Sequence, residues 1–226
     1  MRVVIACSEA VPFSKTGGLA DVASALPKAL SAAGHEASII VPYYPLVQAR
    51  ESEGLDIVPT GITLRVPVGQ KVVEAKILQS KLPGTNVAVY LIDQADYFHR
   101  SGIYVENGQD YRDNCERFVF FSRAVIEAIQ HLQLRPHVIH ANDWQTGLIP
   151  ALLTIDYRAV PGFEETASVF TIHNLAYQGR FDKSWMPELD LGWDLFGVNG
   201  LEFYGGMSFL KGGVTGADIV TTVSPQ

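Results

Sequence analysis

Cysteine is almost missing from this chain: Cys7 and Cys115 are the only two in 226 residues. They stand at no metal-ligand spacing, so neither a disulfide framework nor a cysteine-based metal centre is expected. Long apolar runs are missing too, none approaching the roughly 18 residues that a membrane-spanning helix needs. Basic charge is short, with 17 Lys and Arg against 24 Asp and Glu and a net charge of −7, which works against non-specific nucleic-acid binding. The opening MRVVIAC has the layout of neither a secretory leader nor an Arg/Ser-rich transit segment. These absences set the first expectations: a cytoplasmic protein with no nucleic-acid partner and no membrane.

What is present builds a core. Hydrophobic residues make up 47% of the chain, enough for a folded domain rather than a disordered one. Six short apolar runs recur: RVVIAC (2–7), EASIIVP (36–42), NVAVYLI (86–92), HVIHA (137–141), SVFTIH (168–173) and DIVTTVS (218–224). Continuous apolar runs of this length mark strands buried on both faces, as in parallel sheets. Between the first two, Leu19, Val22, Ala23, Leu26, Leu30 and Ala33 recur at helical spacing and Gly34 closes the segment. Pro27 inside that helix predicts a kink or a local break. A second long helix is expected after Asp113, with Asp113 and Glu116 as a capping box and an apolar stripe from Phe118 to Leu132. Residues 62–78 alternate and suit an antiparallel hairpin, while the Gly- and aromatic-rich stretch 177–207 reads as a long surface excursion. The expected fold is one doubly wound α/β domain.

Open parallel sheets bind ligands outside the carboxyl ends of their strands, so the polar residues after each run matter most. After the first comes SKTGGLADV (14–22). Glycines let the backbone approach an oxygen-rich ligand, helix-start N–H groups favour negative charge, and Lys15 adds a full positive one. A glycine turn beside a solvated lysine would give the same letters. After the fourth run comes HANDWQTGL (140–148). Here Asn142 or Asp143 can cap a helix; alternatively, Asp143 accepts sugar hydroxyl hydrogen bonds and Trp144 stacks on a pyranose. His137 and His140, three apart on a strand, fall on opposite faces, which argues against a metal site. The fifth run ends in HNLAYQG (173–179), whose His173 is either a structural histidine or part of a polar site cluster, and GIYVENGQDYRDN (102–114) adds Tyr104 from a loop. There is no D-x-D triplet and no G-x-S-x-G elbow.

Taken in order, SEAVPFSKTGGLADV, DYRDNCERFVFFSRA, HANDWQTGLIPALL, FTIHNLAYQG and SFLKGGVTGADIVTTVSP span nearly the whole length. This ordered set resembles the N-terminal half of the bacterial glycogen synthase and plant starch synthase family. The resemblance implies a GT-B enzyme of two Rossmann-like domains, with residues 1–226 as the N-terminal, acceptor- and phosphate-facing one and the C-terminal nucleotide-binding domain absent from this chain. It implies retaining transfer of glucose from ADP-glucose to the non-reducing end of an α-1,4-glucan such as glycogen, with no cofactor and no metal. By the same resemblance Lys15 faces the donor pyrophosphate with Gly17 and Gly18 beside it. Asp21, Tyr104, Asp143, Trp144, His173 and Asn174 then line the glucose and leaving-group side, Lys15, Asp143 and His173 being the catalytic set. The family's HDWH reads NDWQ here, which leaves the role of Gln145 open. A plastid location follows only if a transit peptide has been removed. The alternative is a non-catalytic glucan- or nucleotide-binding module derived from the same family.

Overall fold

Strand β1 (Arg2–Ala6) explains why the apolar runs are continuous. Val3 and Ile5 face one side and pack with Leu19 and Ala23; Val4 and Ala6 face the other and pack with Phe118 and Phe121. From Val3 to Ala6 both faces of the strand are therefore core, and no position there is left for a polar residue. The computed structural model describes residues 1–45 and 55–223. After β1 come α1 (Gly18–Ala32), β2 (Glu36–Pro42), the hairpin of β3 (Val58–Val68) and β4 (Lys71–Lys81), and β5 (Ala88–Asp93). A short α2 (Ala95–Phe98) and a ribbon of β6 (Val105–Glu106) and β7 (Gln109–Asp110) lead to α3 (Asn114–His131) and β8 (Val138–Asn142). Then follow α4 (Ile149–Leu152), β9 (Ala167–Ile172), β10 (Arg180–Phe181) and α5 (Met186–Leu189). The last elements are β11 (Glu202–Phe203), β12 (Gly206–Ser208), α6 (Phe209–Gly216) and β13 (Ile219–Thr222).

The six apolar runs form six parallel strands of one eight-stranded sheet, ordered β13-β9-β8-β1-β2-β5-β4-β3, with the β3–β4 hairpin antiparallel at one edge. The end of the last run, at residue 224, lies outside the described residues. From β1 the chain winds outward through β2 and β5, then returns to the other side of β1 and winds outward through β8, β9 and β13. This is a Rossmann-like doubly wound, mainly parallel sheet. Its strand order reverses between β1 and β8, and such a switch point opens a crevice at the carboxyl edge. Among the described residues no helix is long and apolar enough to cross a membrane.

Three local expectations are corrected. Helix α1 runs unbroken through Pro27 to Ala32, with no local break, and Gly34 just past its end has the φ of 83° that suits glycine, closing the segment as expected. Asp113 and Glu116 form no capping box: the Asp113 carboxylate is clamped by both terminal nitrogens of Arg100, at 2.8 and 2.6 Å, and Glu116 accepts from Lys71 and Tyr97. Local sequence supplied the cap, but tertiary partners with full charges took both carboxylates. Nor is the 177–207 stretch only a surface excursion. Its β10-β12-β11 sheet and α5 send Met186, Leu189, Leu201 and Met207 into the main core.

One buried cation ties the loop before α3 to the rest. Arg117 is fully buried, and it donates to the carbonyls of Tyr97 at 2.8 Å and Ile103 at 3.0 Å and to Asn114 Oδ1 at 2.6 Å. Its guanidinium also lies 4.9 Å from the Tyr111 ring centroid. Burial holds its pKa below the usual guanidinium value. Replacing it with Met strands two carbonyls without donors, and Arg117→Met is expected to cost about 3 kcal/mol. Arg117→Lys should recover little, because an ammonium does not reproduce the planar fork. Urea unfolding midpoints check both; a wild-type midpoint for Arg117→Met would mean the 97–104 loop is held by other interactions.

Candidate active site

Register brings the site together. Ala6 of β1 pairs with Ala141 of β8, and Asn142 of β8 pairs with Thr171 of β9, so the three strands end side by side. The residues that follow them, from Cys7 to Gly18, at Asp143, and at His173 and Asn174, share one edge at the switch point. Lys15, Asp143 and His173 therefore lie on the carboxyl edge, as their positions after the apolar runs predict.

Asp143 has the least ordinary backbone of the group, with φ 60° and ψ 178°. That region is nearly reserved for glycine and costs on the order of 1–3 kcal/mol for other residues. The amide of Asp143 donates to Thr171 O at 2.9 Å, and its carboxylate accepts from the His173 amide at 3.2 Å. A carboxylate in this place does not cap the following turn; it reaches across to β9 instead. Burial pushes its pKa up to about 6, partly opposed by the amides of His173 and Asn174 and reinforced by Glu9.

His173 is set by Asn142 rather than by Asp143. Asn142 Nδ2 donates to Ala6 O at 3.2 Å and His140 O at 3.0 Å, which fixes the amide and leaves Oδ1 facing His173 Nε2 at 3.0 Å. Nε2 must then carry the hydrogen, and Nδ1 is the free nitrogen. Burial lowers the pKa of His173, so the ring is neutral at pH 7. Asp143 touches the backbone of His173 and not its ring, so the two do not form an acid–base relay. One layer below, His140 donates or accepts through Nε2 at Thr171 Oγ1, 2.5 Å away. Burial and the neighbouring His173 push the His140 pKa down to about 4. His137 takes a separate partner, the Arg2 amide. Asn174 Oδ1 is used locally, accepting from Ala176 N at 3.0 Å, and its side chain is exposed at the rim.

On the β1 side, Lys15 Nζ is 2.7 and 2.9 Å from the two Asp21 oxygens, and both side chains are open to solvent. Asp21, in the first turn of α1, is thus the internal partner of Lys15. Gly17 and Gly18 are free of any internal demand for glycine: a Cβ on either would meet nothing within 4 Å, and neither has a positive φ. Space beside Lys15 is therefore open toward solvent. Tyr104 reaches in from the loop that Arg117 holds; its hydroxyl lies 2.6 Å from Ser8 Oγ and donates to Glu9 at 2.5 Å.

Trp144 is corrected. Its indole is buried against Phe118, Tyr104 and Phe181, and a Cβ on Gly179 would come within 2.5 Å of the ring, so no face remains for a pyranose. An aromatic after a buried strand is as well suited to a core as to a sugar, and the letters alone do not separate the two. Gln145 is buried as well. Sequence reasoning missed Glu9 and the role of Asn142 as the partner of His173. The SEAVPF stretch held the first signal, a carboxylate in an otherwise apolar segment just before the glycines.

Strain and burial at Asp143 make a test of whether the edge is built for ligand rather than for stability. Asp143→Gly removes the Cβ penalty and a carboxylate that is ionised at neutral pH despite burial. It should raise stability by on the order of 2 kcal/mol at neutral pH. In the wild type the folded carboxyl titrates at about 6 and the unfolded one near 3.8. The cost of ionisation is therefore present above about 6 and disappears as pH falls toward 3.8, so the gain should shrink across that window. Denaturant titrations at several pH values check this, and a destabilised Asp143→Gly would mean that the hydrogen bond to the His173 amide outweighs the strain.

The profile of the starch synthase catalytic domain matches residues 2–226. The chain is 43% identical over 224 residues to the glycogen synthase of Syntrophotalea carbinolica and 45% identical over 224 residues to that of Koribacter versatilis. In each case 99% of this chain is covered but 45% of the relative, so the chain spans less than half the length of these curated relatives. Among solved structures it is similar to the catalytic domain of starch synthase IV from Arabidopsis thaliana bound to ADP and acarbose. That similarity has a TM-score of 0.87 and 31% identity, over 99% of this chain and 45% of the other.

Proposed function

Because the chain belongs to the family of starch synthase catalytic domains, we propose that it is the phosphate- and acceptor-facing half of a glycogen or starch synthase. The reaction is retaining transfer of glucose from ADP-glucose to the non-reducing end of an α-1,4-glucan. In this reading a second Rossmann-like domain closes over the carboxyl edge, as in GT-B enzymes, and supplies the pocket for adenine and ribose. One observation carries the reading: Lys15, with an open glycine loop beside it, shares the switch-point edge with the strained Asp143 and the oriented His173. The ADP and acarbose bound by the similar Arabidopsis domain fit a site of this kind, an anion on one side and an oligosaccharide on the other.

Each residue then has a physical role. When the glucosyl C1–O bond to ADP breaks, negative charge grows on the departing diphosphate. Lys15, exchanging Asp21 for a phosphate oxygen, offsets that charge. The glucan 4-hydroxyl forms the new bond at C1 and passes its proton to the departing diphosphate oxygen, so that charge and atoms balance as ADP leaves. His173, neutral and held through Nε2, orients the glucosyl group instead of acting as a charged acid. Asp143 and Asn174 present acceptor and donor groups to sugar hydroxyls from a fixed backbone.

In the two-domain enzyme Lys15→Ala should lower kcat and kcat/KM together, by roughly 10²–10³, because the interaction it removes belongs to the transition state. Steady-state rates near those of the wild type would make Lys15 a solvated loop residue. The 226-residue chain by itself should incorporate no radiolabelled glucose from ADP-glucose into glycogen. With one wall of the cleft, water is not excluded and Lys15 acts in a high dielectric, where its charge is worth little. Sustained incorporation by the purified chain would place the whole catalytic machinery in this half and overturn the two-domain reading. Adding the second domain without gaining transfer would favour a binding module that does not catalyse.

A further inference from the structure

Glu9 has no part in the step just described, yet its carboxylate lies at the centre of the glycine loop. It is 2% exposed. Oε2 accepts from the backbone N–H groups of Thr16 and of Gly17, the latter at 3.3 Å. Oε1 accepts from the Thr16 hydroxyl at 2.7 Å and from the Tyr104 hydroxyl at 2.5 Å. Each of these partners brings a donor hydrogen to Glu9, so it serves as an acceptor throughout.

Consecutive backbone amides leading into a helix start are the usual cradle for a phosphate. Here two of those amides turn inward to a side chain of the same protein, and an external anion cannot use them while Glu9 stays. Lys15 is open to solvent, and the first amides of α1, at Gly18 and Leu19, have no partner within the helix. Glu9 thus selects which donors of the loop are offered to the cleft. Its bond to Tyr104 couples the loop to the segment that Arg117 anchors on the other side.

We propose that Glu9 is a positioning residue of the diphosphate site, an internal anion that locks the 14–18 loop so that Lys15 and the start of α1 face the ligand. This deepens the transferase reading and rests on its placement of a diphosphate at Lys15. Two effects of Glu9 on an incoming anion oppose each other. Its negative charge repels the ligand, while its hydrogen bonds hold the loop in the binding geometry. Glu9→Gln separates them, because glutamine keeps the shape and one acceptor oxygen but loses the charge and turns an NH₂ group toward N–H and O–H donors. Charge alone predicts tighter binding of an anion by the variant, and positioning predicts weaker binding.

The experiment is a titration of the two-domain enzyme with ADP, followed through backbone amide shifts of the 8–21 segment, with amide hydrogen exchange measured at Thr16 and Gly17. Glu9→Gln should weaken ADP binding about tenfold, the worth of one charge-assisted hydrogen bond, and speed exchange at both amides. Thr16→Val removes one of the bonds without touching the buried carboxylate and covers the case in which Glu9→Gln does not fold. It should weaken ADP about threefold, and Thr16→Ser, which keeps the hydroxyl, should restore the wild-type affinity. Equal or tighter ADP binding by Glu9→Gln, with the wild type binding ADP, would overturn the positioning role and leave the transferase reading intact. The absence of any ADP-dependent shift near Lys15 in the wild type would overturn the diphosphate assignment itself, and the role of Glu9 with it.

Discussion

The turn at Asp143 is the constraint on which the site depends. A residue with a Cβ at φ 60° and ψ 178° does not stay there unless its neighbours hold it. Thr171 O takes its amide, and its own carbonyl accepts from the Thr146 amide and hydroxyl, both at 3.1 Å. Its carboxylate takes the His173 amide, just past the end of the adjacent strand β9. Gly147, just beyond, is pressed so close to Phe209 that a Cβ would sit 2.0 Å from the Phe209 carbonyl oxygen. The start of α6 therefore fixes the exit of the turn as firmly as β9 fixes its entrance. The result is a carboxylate whose position is set on every side by backbone, at the point where the strand order reverses.

The second layer serves the same end from the other side of β1. Arg117, buried without a carboxylate against it, binds carbonyls of the 97–104 loop and so places Tyr104. Tyr104 meets Glu9, and Glu9 meets the amides of Thr16 and Gly17. A chain of hydrogen bonds thus runs from a cation in α3 to the loop that carries Lys15. The 177–207 stretch closes the floor beneath: Gly179 fits under the Trp144 ring, and Arg123 donates to the carbonyls of Leu189 and Asp190 at 2.7 and 3.1 Å. Apolar burial supplies the stability of this assembly, and the polar links decide its geometry.

How much of this was legible in the letters depended on the range of the interaction. The parallel strands were legible because burial on both faces leaves an unbroken apolar run. Lys15, Asp143 and His173 were legible because a doubly wound sheet places whatever follows those runs at one edge. Glu9 was not, since its partners, two loop amides and the hydroxyls of Thr16 and the distant Tyr104, come together only in the fold. Trp144 was read the wrong way, since indole suits a core and a sugar equally and only the ring of Gly179, Phe118 and Phe181 around it decides. The capping box at Asp113 failed for a related reason, a local pattern overridden by Arg100 and Lys71 from distant parts of the chain. The strain at Asp143 leaves no trace in sequence, because aspartate is ordinary at a strand end with ordinary dihedral angles.

A further regularity runs through the site: its charged and polar groups are satisfied from within. Lys15 is held by Asp21, Glu9 by the loop amides, Asp143 by the His173 amide just past β9, and His173 by Asn142. Ligand binding on such a surface is an exchange of partners, not an addition of new ones. An exchange in water gains little, because the ion pair that breaks and the one that replaces it are both screened and both hydrated. The balance shifts when the surroundings lose water, since a phosphate beside Lys15 in a low dielectric gains far more than an exposed carboxylate can. Asp21 is suited to be the partner that yields: it sits on the solvent side of α1, and its carboxylate regains water on release. Glu9 and Asp143 are buried and have nowhere to go. The site therefore divides into one exchangeable ion pair on the outside and a rigid set of carboxylates within. In the proposed two-domain reading, closure of a second wall over Lys15 would tip the exchange toward ligand.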